Sequence, residues 1–164
     1  MELIEGVSPI YWATVILISA TAFTILWALD AVTHKRLVKV DITDKELQTH
    51  RNILVVSVLM EMSLVSMYWW NIEALPFFIT FLIVRTVHEF IDELHFHTDR
   101  CSVYESRLHL GMWLFVFIKT ISLFMWGFFE QFSGVEELPL AYYIWGGIVF
   151  SVMSFVSLAE WKRG

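Results

Sequence analysis

The sequence predicts an all-α integral membrane protein that forms a single bundle of five transmembrane helices. Hydrophobic residues make up 57% of the 164 residues and charged residues 17%, whereas a soluble domain carries about a quarter charged residues. The mean hydropathy is +0.63. Apolar segments long enough to cross about 30 Å of hydrocarbon recur along the chain. These observations exclude the soluble globular and the disordered classes.

Five segments have the length and apolar character of membrane spans. They are residues 10–30, 53–71, 76–94, 108–129 and 140–159. No linker, repeat or low-complexity tract separates them, so residues 1–164 are expected to form one domain. The first residues have no basic region followed by a small-residue cleavage site, so no removable signal peptide is expected.

Capping residues, proline and glycine mark the connections between the predicted helices. Thr43-x-x-Glu46 and Ser102-x-x-Glu105 match the capping box, which predicts that the second and fourth helices begin before the membrane does. A tight turn over 71–76 is expected to end with Pro76 opening the third helix. Ser133-Gly134 is the expected stop of the fourth helix, and Pro139 opens the fifth.

Basic residues predict the orientation of the bundle. Apart from Arg85 and Lys119, lysine and arginine occur only in residues 35–51, 100–107 and 162–163. In a chain of five spans these three segments face the same side, and the other connections carry only acidic charge. The positive-inside rule then places the N-terminus outside and the C-terminus in the cytoplasm. We expect a bacterial inner membrane or an equivalent membrane.

All six histidines fall at or near this predicted cytoplasmic side. Acidic residues accompany them at helical spacing, as with Asp30 and His34 or Glu105 and His109, so that each set shares a helix face. Imidazole and carboxylate together suit iron, zinc or manganese better than a soft copper(I) ion. The sequence therefore predicts a metal site for one or two ions of iron or zinc. The candidate ligands are His88, Asp92, His95, His109, His34, Asp30, Glu105 and His97.

Other interpretations of these residues stay open. His34, His50 and His97 also suit the lipid headgroup region, and Glu105 also suits a purely capping role. His88 and Asp92 are expected inside the hydrocarbon, where ionisable groups are costly and are usually functional. The alternative for this pair is a buried hydrogen-bonded network. Cys101, the single cysteine, excludes an internal disulfide and is expected to be a bystander.

A second polar layer is expected near the bilayer midplane. Glu61, Arg85 and Lys119 each lie about ten residues from a helix end, which at about 1.5 Å per residue is close to the midplane. The spacing predicts an Arg85–Glu89 pair within the third helix and a Glu61–Lys119 pair between helices. These pairs either fix the register of the helices or line a functional cavity.

The predicted function is that of a membrane oxidoreductase or oxygenase acting on a lipid-soluble substrate. The candidate catalytic residues are Glu89 and Glu93, which are suited to general-base catalysis, and Glu61, which tunes the site. The alternatives are a metal-dependent hydrolase, a haem-binding or non-catalytic subunit of a larger membrane complex, and a metal or proton transporter. The sequence has no His-x-x-His-His, Glu-x-x-His or His-Glu-x-x-His motif.

The expected partners follow from charge and composition. A net charge of -6 argues against nucleic acid as a partner, and lipids surround the bundle. On the fifth helix Gly147, Ser151 and Ser154 form a face of small residues that suits helix packing. We therefore expect a homo-oligomer or a larger membrane complex as a further partner.

Overall fold

The chain is all-helical in the computed structural model, which describes residues 6–37, 43–97 and 102–161. These ranges contain no β-strand, and the all-α prediction is confirmed there. The five α-helices are α1 Pro9–Leu37, α2 Asp44–Ser66, α3 Asn71–Ile91, α4 Val103–Phe124 and α5 Leu140–Trp161. π-helical turns extend α3 over Asp92–His97 and α4 over Met125–Phe129, and a 3-10 turn covers Val135–Glu137.

Within the described ranges, four helical segments are long and apolar enough to cross a bilayer. They are Pro9–Val32, Asn71–His97, Val103–Phe129 and Leu140–Ala159. α2 is not among them because residues 44–52, its first part, are polar except for Leu47. The apolar remainder, residues 53–66, is shorter than the roughly 20 residues that a spanning helix needs. The structure thus has one apolar span fewer than the sequence predicts.

Both predicted capping residues begin their helices. Ser102 accepts a hydrogen bond from the Glu105 backbone N–H, and the Ser102 backbone N–H donates to the Glu105 carboxylate, which completes the capping box. The Thr43 hydroxyl accepts from the Glu46 backbone N–H at 3.3 Å. Gly134, at φ +74°, lies in the loop after the π-helical turn of α4. α5 begins directly after Pro139.

The turn between α2 and α3 lies earlier than predicted. α2 ends at Ser66, and residues 67–70 form the turn, with the backbone N–H groups of Trp69 and Trp70 both donating to the Ser66 carbonyl. α3 starts at Asn71, so the prediction that Pro76 opens this helix is wrong, and Pro76 lies inside it. Pro76 is the sixth residue of α3 and lies beyond the first four N–H groups, so it removes one intrahelical hydrogen bond, the one to the Ile72 carbonyl.

The helices pack as two layers. α1 lies along α4 and α5 lies on α1, whereas α2 pairs with α3. The layers meet in an apolar core at the end of the bundle where α2 turns into α3. This core includes Trp12, Met60, Leu64, Met67, Phe78, Trp126 and Phe132. We call the other end, where α3 ends and α4 begins, the cluster end, because histidines and carboxylates gather there.

Charged side chains link the layers between these two ends. Lys119 Nζ on α4 donates to Glu61 Oε1 on α2 at 2.6 Å, which confirms the predicted ion pair. The predicted Arg85–Glu89 pair within α3 is also present, and Arg85 Nε donates to Ser57 Oγ at 3.0 Å. A polar layer therefore crosses the bundle between the apolar core and the cluster end.

Part of the small-residue face of α5 is open in the described portion of the chain. A methyl group at Gly147 would have no neighbour within 4 Å, and Ser151 is exposed. α5 instead contacts α1 through larger side chains: Tyr142 Oη lies 2.8 Å from Thr14 Oγ1, and Trp145 Nε1 donates to Thr21 Oγ1 at 2.9 Å.

Candidate metal centre

Histidines and carboxylates converge at the cluster end. We call the set the His/carboxylate cluster, and its members are Asp30, Glu46, His50, Asp92, Glu93, His97, Glu105 and His109. They come from α1, α2, the π-helical turn after α3, and α4. Glu46 is fully buried, His97 is 3% exposed and Glu105 is 6% exposed. Imidazole and carboxylate from four separate parts of the chain thus meet in one largely buried layer.

The cluster divides into three overlapping groups, each with its possible ligand atoms within 4.8 Å of one another. The first group is Glu46, His50, Asp92 and His97. The second is Glu93, His97 and His109, and the third is Asp30, Glu105 and His109. His97 joins the first two groups and His109 joins the last two. The groups therefore form one continuous array and not three separate sites.

The His97 ring lies among three carboxylates without hydrogen-bonding to them. Its Nε2 is 3.7 Å from Glu46 Oε1, and its Nδ1 is 3.5 Å from Asp92 Oδ2 and 3.8 Å from Glu93 Oε2. These distances are too long for N–H···O hydrogen bonds. Within the part of the chain that is described, the buried Nδ1 has no hydrogen-bond partner.

The other two histidines are held by carboxylates at closer range. His50 Nε2 lies 3.0 Å from Asp92 Oδ1. His109 Nδ1 lies 3.0 Å from Glu93 Oε2, and its Nε2 lies 3.6 Å from Asp30 Oδ1. Carboxylate contacts of this kind fix the orientation and the tautomer of imidazole rings in metal sites.

The π-helical turn decides which histidine after α3 joins the cluster. In an α-helix, residues five apart lie about 140° apart around the axis, so Asp92 and His97 would point in different directions. In a π-helix, residues five apart are joined by the backbone hydrogen bond and share a face. The turn over Asp92–His97 therefore directs both side chains to the cluster. His95 is exposed, and its ring contacts Phe96 edge to face.

Helix starts position the ligands from α2 and α4. Glu46 and His50 are one turn apart in the polar first part of α2, and Glu105 and His109 are one turn apart in α4. Gly111 allows α1 to approach α4 closely, since a Cβ there would lie 2.8 Å from Leu26 Cδ1. This approach lets Asp30 on α1 reach His109.

The structure brings together most of the predicted ligands. Asp92, His109, Asp30, Glu105 and His97 are all in the cluster, together with the predicted general base Glu93. The side chain of His34 lies outside the described residues. His88 and His95 belong to none of the three groups found among the described residues. Sequence reasoning missed Glu46 and His50 as ligands, although they have the same i, i+4 spacing as the other acid–histidine pairs.

His88 has other partners. Its Nδ1–H donates to the Val84 carbonyl at 2.8 Å, and its Nε2 lies 3.3 Å from Asn52 Nδ2, which can donate to it. Both ring nitrogens therefore have hydrogen-bond partners outside the cluster. The prediction of a hydrogen-bonded network, which was the alternative for His88, matches this arrangement.

The remaining candidate catalytic carboxylates lie beside the cluster or deeper. Glu89 lies on α3, one turn before Glu93 of the π-helical turn, and it pairs with Arg85. Glu61 pairs with Lys119 in the polar layer between the cluster end and the apolar core. Of the three candidate catalytic carboxylates, Glu93 contacts a cluster histidine, His109. Its side chain is 39% exposed, which is more than that of Glu89 or Glu61.

No family model, no curated protein and no solved structure matches the chain. The cluster holds five carboxylates and three imidazoles. Such a concentration of carboxylates in a buried layer is unfavourable unless protonation or cations neutralise its charge.

Proposed function

We propose that the protein is a membrane metalloprotein whose His/carboxylate cluster binds one or two first-row transition-metal ions, and that it acts as an oxidoreductase on a lipid-soluble substrate. The observation that carries this proposal is the array of three His/carboxylate groups joined through His97 and His109. Helical bundles commonly build dinuclear sites from inward-facing ligands of this kind.

The geometry around His97 favours a metal over a purely hydrogen-bonded network. Two ligand atoms held tetrahedrally at about 2.0–2.1 Å from one ion lie about 3.3 Å apart. The separations from His97 Nδ1, 3.5 Å to Asp92 Oδ2 and 3.8 Å to Glu93 Oε2, are near that value and exceed hydrogen-bond lengths. A buried ring nitrogen without a partner costs about 1–3 kcal/mol, and coordination to an ion removes that cost.

The ligand types indicate which ions fit. Imidazole and carboxylate are the only ligand types in the three groups among the described residues, and they suit iron, zinc and manganese. Glu46, His50, Asp92 and His97 would hold one ion. Asp30, Glu105 and His109 would hold a second, with Glu93 between the two sets. Iron or zinc remains the expected metal.

The chain's own residues define the surroundings of the reaction. A bound iron ion would supply redox chemistry, and a bound zinc ion would supply a water of lowered pKa for hydrolysis. Glu93, hydrogen-bonded to His109 and partly exposed, is placed to accept or return a proton at the edge of the cluster. Glu89, held by Arg85, would act through position and charge.

The orientation proposed here is N-terminus outside and C-terminus in the cytoplasm, with five spans. The span that completes the five is α2, in which residues 53–66 would cross most of the bilayer and the aromatic turn over 67–70 would lie at its outer interface. The Glu61–Lys119 pair supports this placement because it holds α2 against the span formed by α4. The cluster would then lie at the cytoplasmic side of the membrane.

Elemental analysis of the protein, purified in mild detergent without a chelator, tests the proposal. We expect one or two equivalents of iron or zinc per chain, lost in H97Q. The matched control is H95Q, the same change at an exposed histidine of the same π-helical turn, which should keep its metal. Wild-type protein without stoichiometric metal would overturn the proposal, and so would equal losses in H97Q and H95Q.

A further inference from the structure

The four members of the first His/carboxylate group all come from one layer of the bundle. Glu46 and His50 lie on α2, and Asp92 and His97 lie on the π-helical turn that extends α3. α2 and α3 pack against each other in that layer, and the π-helical turn also contacts α2. The first group is therefore assembled without a ligand from α1 or α4, which belong to the other layer.

His109 connects this group to the ligands of the other layer. Its ring lies edge to face on the His97 ring with centroids 5.0 Å apart, and its Nδ1 is 3.0 Å from Glu93 Oε2. The other members of the third group, Asp30 and Glu105, come from α1 and α4. Loss of the His109 ring would therefore change the second and third groups and leave all four ligands of the first group in place.

Two members of the first group are almost completely enclosed. Glu46 is fully buried and His97 is 3% exposed. His97 Nδ1 has no hydrogen-bond partner among the described residues and lies 3.5 Å from Asp92 Oδ2, inside the group. By contrast, the side chain of Glu93 is 39% exposed. An enclosed, unpartnered nitrogen points to an ion that the protein surrounds, whereas the cluster is accessible beside Glu93.

The charges of the first group match one divalent cation. Glu46 and Asp92 carry two negative charges as carboxylates, and His50 and His97 carry none as neutral imidazoles. One divalent ion would make the group electrically neutral, which reduces the cost of burying its charges. Four ligands of these types also complete a tetrahedral ion. Structural sites have all four positions filled by the protein, whereas catalytic sites keep one position open.

The start of α2 has few apolar side chains with which to pack, because residues 44–52 are mostly polar. Its contacts with the π-helical turn are those of the first group. Glu46 Oε1 lies 3.7 Å from His97 Nε2, and His50 Nε2 lies 3.0 Å from Asp92 Oδ1. An ion bound by all four side chains would therefore fasten the start of α2 to this turn.

We propose that the first group is a structural metal site, which binds one divalent ion of zinc or iron with all four of its ligands and holds the start of α2 against the π-helical turn. The reaction belongs to the other side of the cluster, where the exposed Glu93 contacts His109. This inference rests on the proposed function, because it divides the metal cluster of that function into a structural part and a reactive part.

Two histidine variants separate the two parts. H50Q removes a ligand that only the first group contains, whereas H109Q changes only the second and third groups. Zinc titration against a competing dye measures the affinity for the most tightly bound ion. We expect this affinity to fall by about tenfold or more in H50Q and to stay at the wild-type value in H109Q. The matched control H95Q should also bind like wild type. Equal losses in H50Q and H109Q would overturn the division.

Hydrogen exchange of the full chain in detergent tests the structural role. Removing the metal from wild-type protein should speed exchange of the amides of residues 44–52 by about tenfold or more, because the ion no longer opposes local opening. H109Q should show the same dependence on metal. In H50Q these amides should exchange fast with and without added zinc. Residues 140–150, at the start of α5, are the internal control and should not respond.

Cobalt(II) tests whether the first group is closed. H109Q loaded with one equivalent should show the intense visible absorption of four-coordinate cobalt. Azide should leave this absorption unchanged, because the protein fills every position of a structural site. A spectrum that shifts with azide would show an open position and overturn the structural assignment.

The outcomes also separate this inference from the proposed function. Metal that binds without changing the exchange of residues 44–52 overturns the structural site and leaves the metal centre standing. Wild-type protein that binds no metal overturns both. These measurements need no knowledge of the substrate, since they follow the metal and the backbone of α2.

Discussion

His97 and His109 lie edge to face, with ring centroids 5.0 Å apart and an interplanar angle of 70°. Each ring belongs to two of the three His/carboxylate groups, so this contact connects the ligands of α2 and the π-helical turn with those of α1 and α4. Because α2 packs with α3 and α1 packs with α4, a metal at this contact would join the two layers at the cluster end.

Glu46 provides a direct test of the cluster as the structure defines it. E46Q keeps the size of the side chain but removes its charge and one carboxylate ligand. We expect the metal affinity to fall by at least 10-fold, the scale on which even outer-shell changes act. E73Q, the same change at an exposed residue in the first turn of α3, is the control. Competition with a metal-binding dye measures both, and equal affinities would contradict a ligand role for Glu46.

The Glu61–Lys119 pair should stabilise the packing of the two layers. Lys119 is 6% exposed, so removing its partner leaves a buried charge. Breaking a buried pair costs about 3–5 kcal/mol, whereas replacing both partners costs much less. We therefore expect E61Q and K119M each to lower the free energy of unfolding by about 3 kcal/mol, and the double variant to recover much of that loss.

Unfolding in mixed detergent micelles, followed by circular dichroism, measures this cycle. Additive effects of the two substitutions would show that the side chains do not depend on each other. Single variants within about 0.5 kcal/mol of wild type would show that the pair contributes nothing to the packing.

Much of the polar framework was predictable because it follows from local rules. The capping box at Ser102 and the Arg85–Glu89 pair depend only on residues three or four apart. The Glu61–Lys119 pair followed from the equal depth of two charges in adjacent helices. The convergence of Asp30, Asp92 and His109 followed from their positions near helix ends.

The choice of His97 over His95 was not predictable from periodicity. The 3.6-residue period of an α-helix would put His95 on the same face as Asp92. In the π-helical turn, the residue that shares the face of Asp92 is five positions later, which is His97. No residue type in Asp92–His97 marks a π-helix. The Thr43-x-x-Glu46 spacing indicates a capping partner, although Glu46 also precedes His50 by one turn. Proline favours a helix start, yet Pro76 lies inside α3 because the turn forms earlier, at 67–70.

Two glycines should respond differently to alanine. Gly147 has open space around its Cα, so G147A should raise the free energy of unfolding by about 0.5–1 kcal/mol through helix propensity alone. At Gly111 a new Cβ would lie 2.8 Å from Leu26 Cδ1, the end of a side chain that would have to shift, so G111A should stabilise the protein less than G147A does. Unfolding in mixed micelles measures both, and equal stabilisation would show that the Leu26 side chain shifts at no cost.

Tyr68 should show a pH response at the opposite end of the bundle. Its hydroxyl donates to Glu136 Oε1 at 2.5 Å, which ties the α2–α3 turn to the 3-10 turn before α5. This hydrogen bond, and then the negative charge of Glu136, raise the pKa of Tyr68 above its usual value of 10.0. A raised pKa in the folded state means that the contribution of Tyr68 to stability is complete below pH 10 and is lost as the pH rises further.

Absorbance at 295 nm measures the ionisation of Tyr68 as the difference between wild type and Y68F. We expect this difference to titrate above pH 10 in wild type and at lower pH in E136Q, because an uncharged glutamine no longer disfavours the phenolate. E137Q changes the neighbouring carboxylate, which does not hydrogen-bond to Tyr68 among the described residues, and should leave the titration in place. If E136Q and wild type titrate together, Tyr68 and Glu136 do not interact in solution.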